Sequence, residues 1–494
     1  TGIVMLTLLI LLCVAAGLVY AWLRGHYAYW QQRGIPCEKP VFGFGNMRGF
    51  SRHLHWTDIN QRIYRRFSGQ ERYCGFFTFL TKAFFVMDLE LIRRILIIDF
   101  NSFADRGLFH NVRDDPLTGN LLFLDGEKWR WLRQHLTPVF SSGKMKFMFP
   151  TIVKVGEQLV LTAEQSLGDF EAKDLCARFT TDIIGSCAFG LECNSLADPN
   201  SEFRRMGRLV TENPLHNSIV QAVMFAQPDL ARRLRLRLFR PEVSSFFIET
   251  VRQTLEYRER EHAKRNDLVQ LLMELSAEAG LSFEQIAAQA MVFFLAGFDT
   301  SSTTMSFCLY ELALNPDIQQ QLRAEIKVTL EQHNQDLSYE CLQQMTYLSQ
   351  VVAETLRKYP ILPHILRRST CTYKVPDSNL IVEPNTRIMI PVHSIHHDPK
   401  LYPDPDRFDP LRFEPAAVKS RHPFAYLPFG DGPRNCIGER FGLMQVKIGV
   451  VMLLRHYQID VTPATQIPLQ FSKRNFLIAT QSGIHLNIKR LSGI

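Results

Sequence analysis

The stretch FGDGPRNCIGER, residues 429–440, sets a single cysteine among three glycines and a proline. Glycine is used where the backbone takes φ > 0 or must approach something closely. Gly430, Gly432 and Gly438 clear space on both sides of Cys436, so a large flat group is expected to lie against this backbone beside the sulfur. A structural cysteine buried in a glycine-rich turn is the plainer alternative. Three other spacings carry chemistry. AGFDTSS, residues 296–302, puts Asp299 and Thr300 inside an apolar run, a costly place unless they have work or partners. ETLR, residues 354–357, sets Glu354 and Arg357 on one helical face, which on most proteins is a surface pair of little worth. GEKWRWLRQ places Trp129 and Arg133 four residues apart. The chain has ten cysteines and no C-x-x-C pair, which argues against a zinc site and for reduced, mostly core thiols facing the cytosol.

The elements that must position these groups read mainly as helix, with minor sheet. The run around Asp299 opens with a capping box, Ser282 to Gln285, and keeps its pattern to about residue 314, where Pro316 ends it. At ~1.5 Å per residue, such a helix is about 48 Å long and crosses the whole molecule. Residues 73–80 and 83–88 read as a strand pair, a second β region is expected around 371–392, and strand-like runs return over 457–489. At 494 residues with no linker of biased composition, the chain is either two tightly packed domains or one large fold around a buried group. A net charge of +7 with interspersed signs carries no nucleic-acid signature, so no nucleic-acid partner is expected.

Residues 1–23 carry no charge and are long enough to cross a bilayer as a helix. Arg24, Arg33 and Lys39 follow, which favours a cytosolic downstream side. A cleaved signal peptide is the competing reading, because Ala15, Ala16 and Gly17 are small, but the apolar run continues past them. The chain opens on Thr1, so its start is expected to be incomplete. The organisation expected is an anchor over 1–23, a connector over 24–45 stiffened by Pro36 and Pro40, and a catalytic domain over 46–494. Residues 227–243 place five arginines among leucines, either as a solvated helix face or as a membrane-surface contact.

The pattern Phe429-Gly430-x-Gly432-x-Arg434-x-Cys436-x-Gly438 resembles the haem-binding loop of the cytochromes P-450, the haem-thiolate monooxygenases. The other motifs stand in the family's order across almost the whole chain. The resemblance implies a mainly α fold with minor β, its long central helix over a buried haem b, preceded by a transmembrane helix. Cys436 would ligate the iron, and a thiolate there favours O–O cleavage. Phe429 and Gly438 belong to the same loop, and Trp129, Arg133, Arg367 and Arg434 would hold the two propionates, with Arg130 and Arg368 as neighbours that could be confused with them. Asp299 and Thr300 would guide protons and water to the reacting oxygen, a role compatible with a threonine that bends its helix. Glu354 and Arg357 would join Arg412 in a buried structural network, although Leu411 stands where the family usually has an acid.

The segments DRGLFHNVRDDPLTGNLLFLDGEKWR and FSSGKMKFMFP resemble the insect microsomal P-450s of the xenobiotic-metabolising group. That implies oxidation of apolar small molecules such as plant compounds or insecticides, at the cytosolic face of the endoplasmic reticulum membrane. NADPH, FAD and FMN enter only through a separate NADPH-cytochrome reductase, since the chain has no dinucleotide fingerprint of its own, and cytochrome b5 is a further possible partner. Pocket walls are expected from Phe109 and Phe123, from Phe293, Phe294 and Ala296, from Ile361, Leu362 and His364, and from Phe476 and Leu477. The reductase is expected on the thiolate side, near Lys144, Lys146, Arg440 and Lys447. Oxidation of one endogenous lipid or hormone stays open. A haem-thiolate isomerase tends to lose the acid–threonine pair kept here, and a non-catalytic haem carrier has no need of it.

Overall fold

Apolar periodicity becomes helix along most of the chain. The helices that position the site are α1 (Gly2–Tyr27), α2 (Trp56–Phe67), α3 (Gly126–Leu136), α4 (Ser142–Gln165), α5 (Ala172–Ile184), α6 (Leu268–Ala279), α7 (Phe283–Leu314), α8 (Thr346–Lys358) and α9 (Glu439–His456). The computed structural model describes residues 2–262, 265 and 267–491. Helix α7 starts where its capping box requires: Gln285 N–H donates to Ser282 Oγ at 3.3 Å, and Ser282 N–H donates to Gln285 Oε1 at 2.8 Å. Asn315 and Pro316 end it. It is buried along most of its length, and α5 and α9 pack against it.

Gly297 lets α5 come that close, because a Cβ there would collide with Ile184 Cδ1. Its smallness therefore serves helix packing, in addition to any loosening of the α7 ladder.

The strands are β1 (Tyr73–Thr78), β2 (Thr81–Val86), β3 (Gly168–Glu171), β4 (Ile365–Arg368), β5 (Arg387–Ile390), β6 (Tyr457–Val461) and β7 (His485–Arg490). One sheet runs in the order β1-β2-β5-β4, with β2 and β5 parallel and the other pairs antiparallel. Phe76, Phe77, Phe84, Phe85, Ile388 and Ile390 belong to a second core built on both faces of this sheet, beside the main one around α7. A three-stranded sheet, β3-β7-β6, brings the strand-like C-terminal run back to residues 168–171. Within 371–392 the expected alternation splits into a short Tyr373–Lys374/Ile381–Val382 pair and β5.

Helix α1 carries its apolar residues exposed, with a mean hydropathy of 2.8 over 18 residues, and runs to Tyr27. The chain that follows is packed, not loose: Trp30 is buried under β1, where a Cβ on Gly75 would strike its ring. Residues 227–243 do not form one amphipathic face. A short helix, Pro228–Arg233, ends at a turn with Arg235 at φ 53°. Phe239 then buries itself and Leu236 and Leu238 pack inward, so that part of the run faces the protein, while Leu230 and Leu234 stay exposed.

Candidate active site

The glycines of the cysteine loop have different physical reasons. Gly432 has φ +72°, and a Cβ there would collide with the Leu96 carbonyl oxygen. Its clearance is therefore for a neighbouring piece of chain, not for the flat group expected from the sequence. Gly438 is the opposite case, since the nearest atom to a Cβ there is Phe140 Cε1 at 3.7 Å and the residue borders a cavity. Cys436 N–H donates to Phe429 O at 2.9 Å, which folds the loop back on itself.

Phe293, Ala296, Thr300, Phe429, Cys436 and Gly438 share that cavity. The accessible surface of Cys436 faces it, with protein packed closely on the other sides. Burial raises the Cys436 thiol above its ordinary range, and the Gly438 N–H, Arg106 and Arg133 act against that rise. Such donors and cations favour the thiolate.

Arginines surround one edge of this region. Arg434 is buried with its guanidinium 3.9 Å above the Trp129 ring centroid, supported from α3. Its Nη2 donates to Leu124 O at 3.1 Å and to Asp125 Oδ1 at 3.3 Å, while Nε and Nη1 have no partner among the described residues. Arg367 on β4 is also buried, donates from Nη1 to Leu366 O at 2.9 Å, and leaves Nε unpartnered. Its neighbour Arg368 is committed to Asp105 at 2.9 Å and Asp125 at 3.2 Å, and Arg130 is exposed beside Glu127.

Burial, with Arg106 adding to it, lowers Arg434 to about 9. It lowers Arg367 well below the ordinary value. Arg106, Arg368 and Arg434 face Asp105 and Asp125, and Arg367 stands beside Arg106 and Arg434, so positive charge is in excess. Buried donors without acceptors and excess positive charge suit a ligand that carries its own carboxylates. The haem implied by the sequence, an apolar disc with two propionates and an iron that takes a soft ligand, fits these residues. Arg133 is occupied differently: its Nη1 and Nη2 donate to Asn435 O at 2.8 Å and Asn435 Oδ1 at 2.6 Å, which braces the residue before Cys436.

On α7, Thr300 Oγ1 donates to Ala296 O at 2.6 Å, the back-bond expected of a helix threonine, and still borders the cavity. Asp299 is turned the other way. Lys173 Nζ on α5 donates to its Oδ1 at 2.8 Å, to its carbonyl at 3.0 Å, and to Ser302 and Thr303 hydroxyls at 2.7 and 2.5 Å. That lysine is the partner the half-buried acid needed, and nothing in the local sequence marks it.

Glu354 and Arg357 are fully buried and bidentate, at 2.7 and 2.8 Å. Arg412 approaches the same carboxylate at 3.5 Å, and Asp409 N–H donates to it at 3.0 Å. Leu411 is 49% exposed and points away from this network.

The expected pocket walls divide. Phe293 and Ala296 border the cavity. Phe294, one position on, lies across α7 among Phe203, Phe247 and Phe298, so it is core. Phe109 is buried against Met224 and Ala231, and Phe123 packs edge-on to Phe239. His364 is buried between Trp56 and Phe476, with Nδ1 3.3 Å from Asn60 Nδ2, and burial takes its pKa down to about 3. Ile361 accepts from Ile478 N–H at 3.0 Å, Leu362 is exposed, and Leu477 packs on the main core. Apart from Phe293 and Ala296, none of the expected wall residues borders the cavity. Sequence reasoning also missed Arg106, whose Nη2 donates to Arg434 O at 3.1 Å and whose charge acts on Cys436. Its only signal was an arginine beside Asp105.

The family model described as Cytochrome P450 matches residues 35–487. Probable cytochrome P450 6a13 of Drosophila melanogaster is 69% identical over 490 residues, which covers 99% of each chain. Cytochrome P450 6a2 of the same fly is 45% identical, over 98% of this chain and 99% of its own. Cytochrome P450 6A1 of Musca domestica is 43% identical over 98% of both. With the match running nearly end to end, the chain belongs to the cytochrome P450 family, haem-thiolate monooxygenases that take electrons from NADPH through a reductase and incorporate oxygen.

Proposed function

We propose that this chain is a membrane-anchored monooxygenase that detoxifies apolar xenobiotics, with α1 as anchor and residues 46–494 as the catalytic domain at the cytosolic face of the endoplasmic reticulum. The observation that carries the catalytic part is one cavity bordered by Cys436, Thr300 and apolar side chains, with partnerless guanidinium nitrogens at Arg367 and Arg434 nearby. The xenobiotic role rests on the sequence resemblance.

When bound, the haem supplies the electron-transfer and dioxygen chemistry. Cys436 is its thiolate ligand, and Gly438 N–H holds negative charge on the sulfur. Arg434, Arg367 and Arg106 take the propionates, while Trp129 and Arg133 hold Arg434 and the cysteine loop in place. Phe293 and Ala296 give the substrate an apolar wall and exclude water. Thr300 keeps its proton on Ala296 O, which leaves its oxygen free to accept from a water in the cavity. Asp299, held by Lys173, is the carboxylate that relays protons from the α5 side. Glu354, Arg357 and Arg412 keep the fold around the loop. The reductase, with cytochrome b5 as a further electron donor, docks on the thiolate side. Lys144, Lys146, Arg440 and Lys447 are the candidate contacts there, with Lys146 paired with Glu340 and Lys447 half-buried on Ser349.

The test places the protein in membranes with a microsomal reductase and NADPH, and follows gain of one oxygen across a mixed apolar panel by mass spectrometry. Wild type is expected to oxidise several unrelated compounds and Cys436→Ser none. Turnover of a single endogenous lipid would replace the detoxifying role with a biosynthetic one. An intact, reducible haem with no oxygenated product would favour an isomerase or a carrier.

A further inference from the structure

Arg387 on β5 is a buried cation with no part in the site described above, and burial takes it down to about 10. Its Nη2 donates to Phe225 O, at the end of the helix Ser218–Ala226, and to Gly107 O at 3.4 Å. Its Nε and Nη1 make no hydrogen bond among the described residues. The charges that act on it are those of Arg368 and Asp125. Asp125 is already taken up elsewhere. Its Oδ1 accepts from Arg106 N–H and Arg434, and its Oδ2 from Gly107 N–H and Arg368. Two carbonyl oxygens are a poor match for a full charge held out of water.

A second donor without an acceptor stands close by. His364 packs edge-on to Phe476, whose ring meets Phe225, the residue that Arg387 bonds. Asn60 Nδ2 can only donate, so His364 Nδ1 accepts at 3.3 Å and the proton of the neutral ring sits on Nε2. That Nε2 is buried and has no partner among the described residues. Arg387 acts on this ring and helps to keep it neutral. Arg387 and His364 are thus linked through two apolar rings, and both carry N–H groups that lack acceptors.

A carboxylate can take two parallel N–H bonds from one guanidinium, whereas a neutral alcohol takes one. Phe225 and Phe476 suit an apolar body behind such a head, and a cationic head would meet the charges of Arg387 and Arg368.

We propose that Arg387, with His364, holds the head group of an apolar substrate that ends in a carboxylate, so that the enzyme prefers such acids to neutral compounds of the same chain length. The proposal rests on the monooxygenase reading above and narrows its substrate class. Arg387 is not among the residues that take the propionates, so the two readings can fail separately.

The experiment uses the haem-loaded full chain and titrates it with dodecanoate and dodecan-1-ol, which share a chain and differ in the head, following the haem absorbance. Wild type is expected to bind the acid about ten-fold more tightly than the alcohol. Arg387→Met should abolish that preference while alcohol affinity stays within about two-fold of wild type. Arg387→Lys, which keeps the charge without the planar fork, should retain part of the preference. His364→Phe should weaken acid binding by about three-fold. Equal wild-type affinity for the two ligands would show that water satisfies these donors, and would overturn the proposal. It would also fall if Arg387→Met weakened both ligands alike, since Arg387 would then only tie Phe225 to Gly107, or if that variant lost haem, since Arg387 would then be a propionate partner. If Arg387→Met does not fold, Arg387→Lys and His364→Phe set against wild type carry the same test. A wild-type chain that takes up no haem would overturn both readings.

Discussion

Arg357 and Arg434 are both buried guanidinium groups, and they differ in what surrounds them. Arg357 uses all three nitrogens on Glu354, His396 O and Pro405 O, at 2.7 to 2.9 Å. Arg434 uses only Nη2 and leaves the other two nitrogens without partners. A satisfied buried charge holds a fold together, because every part of its desolvation cost is offset within the chain. An unsatisfied one stores that cost until a ligand arrives. The same residue type thus marks a structural network beside α8 and a binding edge beside the cysteine loop.

The largest way to break this comparison is Glu354→Ala, which strands Arg357 and Arg412 as buried charges. We expect a loss of about 3–5 kcal/mol, read as a collapse of the urea midpoint or of folded yield. A midpoint near wild type would remove the distinction between the clusters.

Arg434→Leu should behave in the opposite way. The haem-free protein should keep its stability or gain a little, while haem affinity falls roughly 10- to 100-fold, about 1.4–2.8 kcal/mol. Titration of haem into the apoprotein, with a parallel thermal melt, separates the two effects. Equal loss in both would place Arg434 with the structural cluster.

Acid sharpens the comparison next. His396 accepts from Leu427 N–H at its Nε2, 2.9 Å away, and its Nδ1 lies 3.1 Å from Arg357 O, so the satisfied network requires it neutral. Burial, and then Arg357, push His396 well down, and the same causes take His397 down to about 4. Folded-state values lie below the unfolded one, so the unfolded chain binds more protons as pH falls below about 6.5. Stability is full above that pH and declines below it, by about 1.4 kcal/mol per pH unit for each such histidine. Urea melts at pH 7 and pH 5 check the sign, and a flat profile would show that these rings titrate in the native state.

The smallest effect concerns Leu411. Its exposed side chain points away from Glu354, so Leu411→Asp, which restores the acid usual in the family, should move stability by no more than ~0.5 kcal/mol.

Fold class, the long helix and the cysteine loop were legible because their signals are local. Ser282 and Gln285 define a helix start within four residues, and Cys436 stands in a spacing that names its own chemistry. One residue of offset decides the face of a helix: Phe293 meets the cavity, while Phe294 meets Phe298 and Phe247. Gly432 was read as room for a ligand, whereas the Leu96 carbonyl occupies that room.

What the chain alone determined is the set of groups able to ligate, to bond a carboxylate and to carry a proton, together with the helices that bear them. Periodicity and capping act over neighbouring residues, so they survive in one dimension. Which arginine is left without an acceptor, which lysine meets Asp299, and what surrounds Arg387 depend on elements far apart in the chain. Lys173 and Asp299 are 126 positions apart, and Arg133 and Asn435 are 302. Only packing brings them together, because burial and partner satisfaction are properties of the assembled core and not of any one segment.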